Sequence, residues 1–217
     1  MKNDKKPEKR SNTFYLVLSL IIITVIALVV AWRYNLFLTP YERFYAGDIR
    51  HFRGNLVEAA KVPVYPNELS LVNVLLDPDV FKIQIAFFPN DTENSYYFAS
   101  SFEITNKISI IFRSIISTDV STFQSSDGSS CLSFSSGDYV KCFKSVPINS
   151  TDEIFPTSLE PVILLLGPSK ANTTAVSVDN YLITVEGKSF QETNRTYTDL
   201  DLVVDKLILV LMDYTSS

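Results

Sequence analysis

In the stretch VFKIQIAFF, Phe81, Ile83, Ile85 and Phe87 alternate with Val80, Lys82, Gln84 and Ala86. That period of two predicts a β-strand. Further strands are predicted over 71–76, 95–104, 107–116, 162–166 and 176–185. Turn-forming stretches separate them, namely DPD at 77–79, PNDTEN at 89–94, TNK at 105–107, GPSKANTT at 167–174 and EGK at 186–188. The serine-rich stretch 117–130 reads as a loop or an edge strand. Short strands with polar turns, and no long helix between them, predict an antiparallel β-sandwich or barrel-like domain.

Near the C-terminus the period changes. Leu200, Val203, Val204, Leu207, Ile208 and Leu211 recur at i, i+3, i+4, i+7, i+8 and i+11, behind a capping box of Thr198 and Asp201. These predict a closing helix whose other flank, carrying Leu202, Leu209, Val210 and Met212, is also covered. At the opposite end Thr39, Pro40 and Glu42 open a short amphipathic helix over about 40–51. Its face of Tyr41, Phe44, Tyr45, Ile49 and Phe52 suits a membrane interface or docking under the outer domain.

The longest apolar run is Phe14 to Trp32, nineteen residues without a charge. At about 1.5 Å per residue such a helix spans a hydrocarbon core of about 30 Å. Aromatic residues stand at both ends, and the basic residues before it place the N-terminus in the cytoplasm. A cleaved signal sequence fits less well, because Trp32 and Arg33 spoil the exit. A prepilin-type leader, suggested by KKPEKRS, and a buried core helix are the other readings of the run. The expected organisation is a cytoplasmic tail over 1–13, a transmembrane helix over 14–32, a juxtamembrane amphipathic segment over 33–60 and an extracytoplasmic β-rich domain over 61–217.

Composition sharpens this layout. The chain has 217 residues, 46% of them hydrophobic, which is enough for a core. Residues 1–13 carry five cations against two anions, so a total charge of -5 leaves -8 on the rest. An acidic body excludes nonspecific nucleic-acid binding, which needs clustered Lys and Arg.

Outside the membrane, disulfides persist. The only two cysteines are Cys131 and Cys142. A hairpin centred between Ser136 and Gly137 sets them directly opposite, predicting a disulfide, with Leu132, Phe134, Tyr139 and Phe143 on the core side. Metal ligation lacks partners, since the chain has one histidine, His51. Asn-x-Ser/Thr acceptors for N-glycosylation stand at Asn90, Asn149, Asn172 and Asn194, in predicted turns or just before the final helix.

No nucleophile elbow, phosphate loop, zinc-protease motif or dinucleotide fingerprint is present. Asp77 with Asp79, and Asp199 with Asp201 and Asp205, are the remaining carboxylate clusters; a turn and a helix N-terminus account for them structurally. No catalytic residue, cofactor or metal is expected. The sequence predicts a non-catalytic, single-pass surface protein, with the lipid bilayer and another membrane or envelope protein as partners. A membrane-tethered hydrolase using carboxylates or serine without histidine, and a pilin-like filament subunit, are the alternatives.

Overall fold

The computed structural model describes residues 55–90, 92–116, 120–134, 139–192 and 196–216. They belong to a compact unit spanning Arg50–Ser217. The apolar run over 14–32 and the helix expected over 40–51 lie outside the described residues. Among the described residues no helix is long and apolar enough to cross a membrane.

The domain is mixed α/β and is built on one eight-stranded sheet, which corrects the expected antiparallel sandwich or barrel. Chain order is α1 (Leu56–Lys61), β1 (Val64–Tyr65), α2 (Glu68–Leu75), β2 (Lys82–Phe87), α3 (Asn94–Ile116), β3 (Val120–Gln124) and β4 (Ser130–Phe134). There follow β5 (Val140–Pro147), a 3-10 turn (Thr151–Glu153), β6 (Val162–Leu166), β7 (Ala175–Asp179) and β8 (Leu182–Glu186). A small antiparallel pair, β9 (Phe190–Glu192) and β10 (Thr196–Thr198), leads into α4 (Asp199–Ser216). Strand order across the sheet is β1-β7-β8-β6-β2-β5-β4-β3. The inner four, β8, β6, β2 and β5, run parallel, and antiparallel neighbours flank them.

The largest correction is α3, a 23-residue helix where the sequence suggested two strands. Tyr97, Ile104, Ile108 and Ile111 are fully buried at i, i+7, i+11 and i+14, with Ser100 and Ser101 between them. That stripe has helical spacing. Its richness in Tyr, Phe and Ile imitates strand composition, and the apparent turn TNK merely straddles the helix surface at Thr105 and Asn106. α2 likewise replaces a predicted strand, nucleated by Asn67, whose side chain accepts from the Ser70 N–H at 2.9 Å. The strand expected over 176–185 is two strands, folded at Asn180 and Tyr181, where Asn180 takes a left-handed φ of 53°. α3 carries the chain from β2 to β3, which run the same way, and so supplies a crossover of the kind parallel strands require. The segment over 117–130 does carry an edge strand, β3.

The closing helix forms as expected: all six stripe residues from Leu200 to Leu211 are fully buried, and Asp201 accepts from the Thr198 N–H at 2.9 Å. Leu202, Val210 and Met212 are buried too, because α4 packs against α1, α2 and α3 as well as β7 and β8. α3 lies on the same sheet face through Phe112 on Phe143 and Phe87 on Tyr97. The other face is closed only in part. There Ala86, Ile148, Val162 and Leu164 pack under the β5–β6 connection.

Gly187 lets β8 meet the start of α4; a Cβ there would sit 1.9 Å from the Leu200 backbone nitrogen. Gly187→Ala should therefore destabilise the domain by about 1–3 kcal/mol or more, read as a lower denaturation midpoint. An unchanged midpoint would contradict this packing.

Candidate functional site

In open α/β sheets ligands settle outside the carboxyl ends of parallel strands, where strand order reverses. Here that point lies at β2 and β6, because the β5–β6 connection carries the chain across β2. The position is filled from within. Glu93, 2% exposed, and Tyr97, fully buried, enter from the start of α3. The Tyr97 hydroxyl donates to Glu93 Oε2 at 2.8 Å and accepts from the Gly167 N–H at 2.9 Å. Ser169 donates its N–H to Glu93 Oε1 at 2.8 Å and its hydroxyl to Oε2 at 2.9 Å. Only glycine fits at 167, since a Cβ would come within 2.7 Å of the carboxylate.

Burial, with the adjacent Glu93 carboxylate, pushes the Tyr97 phenol well above its ordinary value. An acid–base pair must reach a substrate proton. This pair spends its bonds joining α3 to the β6–β7 connection, so its role is structural.

Lys141 is another of the buried ionisable groups, 4% exposed. It donates to the carbonyls of Asp77 at 3.1 Å, Pro78 at 2.8 Å and Val80, and its Nζ lies 5.4 Å from the Phe112 ring centroid. Burial lowers its pKa while the Asp77 and Asp79 charges oppose the shift. An ammonium has three protons and no acceptor, and three carbonyls take them. A cavity of about 290 Å³ beside it is lined by Leu76, Phe112, Ile115 and Ile116 among others, but no lone pair of Lys141 faces it.

The residues singled out in the sequence fall as follows. Cys131 and Cys142 form the disulfide, S–S 2.11 Å, in the predicted register that also pairs Leu132 with Lys141 and Ser133 with Val140. Leu132, Phe134 and Phe143 are buried, whereas Tyr139 is 47% exposed, a correction to the expected core face. Asp77 accepts from the Asp79 N–H at 2.8 Å, making a turn. Asp199 accepts from Thr174 at 3.0 Å, and Asp201 caps α4. Among the described residues no cluster of His, Cys, Asp and Glu could hold a metal ion. Asn90, Asn149 and Asn172 follow the carboxyl ends of the adjacent strands β2, β5 and β6 respectively. Asn194 and His51 lie outside the described residues.

What stays open is a groove of about 520 Å³ between α3 and the β3–β4 corner. Phe102, Thr105, Asn106, Ser109 and Arg113 recur on α3 at helical spacing and form one wall. Thr122, Gln124, Leu132 and Phe143 contribute from the sheet. Periodicity could have shown this second stripe had the helix been recognised. The groove borders the free edge of β3, whose last four residues are all exposed. Mixed hydroxyl, amide and aromatic groups beside an unpaired strand suit polypeptide binding better than catalysis.

Compared with protein-family models, curated proteins and solved structures, the chain matches none of them.

Tyr97→Phe leaves the Gly167 N–H without its partner and removes one of the two bonds to Glu93 Oε2, and should cost about 1–3 kcal/mol near neutral pH. The raised phenol pKa adds stability that is complete below about pH 10 and lost above it, where the unfolded chain ionises and the native one does not. Urea melts from pH 8 to 11 should show that alkaline loss shrinking in the phenylalanine variant; parallel curves would refute the assignment. Replacing both cysteines with alanine opens an eleven-residue separation and should cost about 3 kcal/mol, measurable in the same melts.

Proposed function

We propose that this chain is a non-catalytic, single-pass membrane protein with a cytoplasmic N-terminus, whose extracytoplasmic α/β domain binds or scaffolds another protein within a membrane or envelope complex. The observation that carries this reading is the filled switch point. The crevice where such sheets ordinarily hold substrates is occupied by Glu93, Tyr97 and Ser169 bonding one another, while a lateral groove and strand edge stay open. The charge-free run over 14–32 supports the anchor. The disulfide supports an oxidising compartment.

The acceptors Asn90, Asn149 and Asn172 add to this. All three lie at one end of the sheet, in connections that leave Asn149 and Asn172 exposed and Asn90 half-buried. Glycans there would cover the carboxyl pole and leave the α3–β3 side uncovered. The hydrolase alternative needs an accessible carboxylate or serine with a partner base, and at the switch point and beside the 290 Å³ cavity the buried Glu93 and Lys141 are engaged in internal bonds. The filament alternative rests on the leader region, outside the described residues.

Protease applied to intact cells should remove the domain while sparing a short N-terminal fragment. Protein taken from native membranes should resist thiol alkylation and lose mass on treatment with an N-glycosidase, with Asn149 and Asn172 as the principal sites. A protease-resistant domain with both thiols reactive would defeat the proposal.

A further inference from the structure

We infer that an extended, acidic segment of a partner protein docks on the outer edge of β3, adding a ninth strand whose alternate side chains enter the α3–β3 groove and whose carboxylate meets Arg113. This rests on the protein-binding reading above and names its site and ligand chemistry.

The two edges of the sheet are built differently. β1, at one edge, is two residues long and stands between Pro63 and Pro66, neither of which can donate an N–H. Short strands and prolines are how edges are protected from pairing. β3, at the other edge, has five residues, Val-Ser-Thr-Phe-Gln, with no charge and no proline. Among the described residues no strand pairs with its outer side, so an added strand there would gain main-chain hydrogen bonds while pockets sort its alternate side chains.

The groove supplies those pockets. Thr122 and Leu132 face each other in the ladder on the side that α3 overhangs. Phe102, 73% exposed, offers an apolar surface at the rim.

Charge selects the ligand. Among the described residues no carboxylate lines the groove, and its single charged residue is Arg113. Among the described residues Arg113 is exposed and has no ion pair or hydrogen bond. In a chain of net charge -5, a pocket whose sole charge is an uncommitted guanidinium is complementary to a carboxylate, which it can bind bidentately. The glycosylation acceptors described above stand at the ends of β2, β5 and β6, so they do not line this groove.

The test uses the full chain in its native membrane, with photoreactive benzoylphenylalanine replacing Phe102 in the groove or, as a control, Phe155 on the β5–β6 connection. Irradiation should link position 102 to another protein, and sequencing of the adduct should find an alternating segment that bears Asp or Glu. Arg113→Glu and Thr122→Glu should each lower the adduct yield at least tenfold with an unchanged melting temperature, and Arg113→Lys should retain most of it. An adduct to a lysine-rich segment or to a second copy of this chain overturns the proposal, as does a yield indifferent to Arg113→Glu. Adducts at position 155 alone refute the groove while leaving protein binding standing. No adduct at either position removes both.

Discussion

The burial of α4 is the constraint on which the rest of the domain depends. Six apolar side chains from Leu200 to Leu211 are fully withdrawn from water, each contributing about 1.5–3 kcal/mol in transfer terms. No other element touches as much: α4 lies on β7 and β8 and is covered in turn by α1, α2 and α3. Polar ties reinforce the seam. Lys206 donates to Glu68 Oε1 at 2.5 Å and to the Ala60 carbonyl at 3.2 Å, which binds α2 and the end of α1 to the last helix. Helices gathered on one face let the sheet be largely parallel, and that arrangement places the loops after β2, β5 and β6 at one end.

That end has the geography of an active site, and Glu93, Tyr97, Gly167 and Ser169 bond one another there. Glu93 and Tyr97 have the residue types of an acid–base pair, yet each polar atom of the cluster is matched by another within it. The same satisfaction holds at Lys141. Glu93 and Lys141 therefore fasten elements together, while β3 and α3 present exposed backbone and side-chain groups at the flank. Open polar groups at a sheet edge are a hazard as well as a resource. A bound partner strand would satisfy them.

Much of the strand pattern was legible. The β6 boundaries, the alternation in β2, the hairpin register down to Cys131 opposite Cys142, and the complete stripe of α4 all followed from periodicity and spacing. What misled was α3. Its buried stripe includes Ser100, Ser101, Glu103 and Lys107, so burial and hydrophobicity part company along it, while Tyr, Phe, Ile and Thr give it the composition of a strand. Missing that helix removed the crossover, and without crossovers only antiparallel topologies remained. The groove was invisible for the same reason, since one wall is the other side of α3. Glu93 fell within a predicted turn and Lys141 within the hairpin, and nothing local in the sequence shows that distant segments will fold over them.

The tie between Lys206 and Glu68 spans 138 positions of chain. At a synthesis speed of about 5–20 residues per second, the carboxylate waits roughly 7–28 seconds for its ammonium partner to be made. During that interval α1 and α2 lack the helix that covers their apolar sides, whereas the cysteine hairpin is complete well before α4 is made. Synthesis of α4 thus sets the moment at which this domain can close, and any chaperone serving it would find its clients among nascent chains still lacking the eighteen residues Asp199–Ser216.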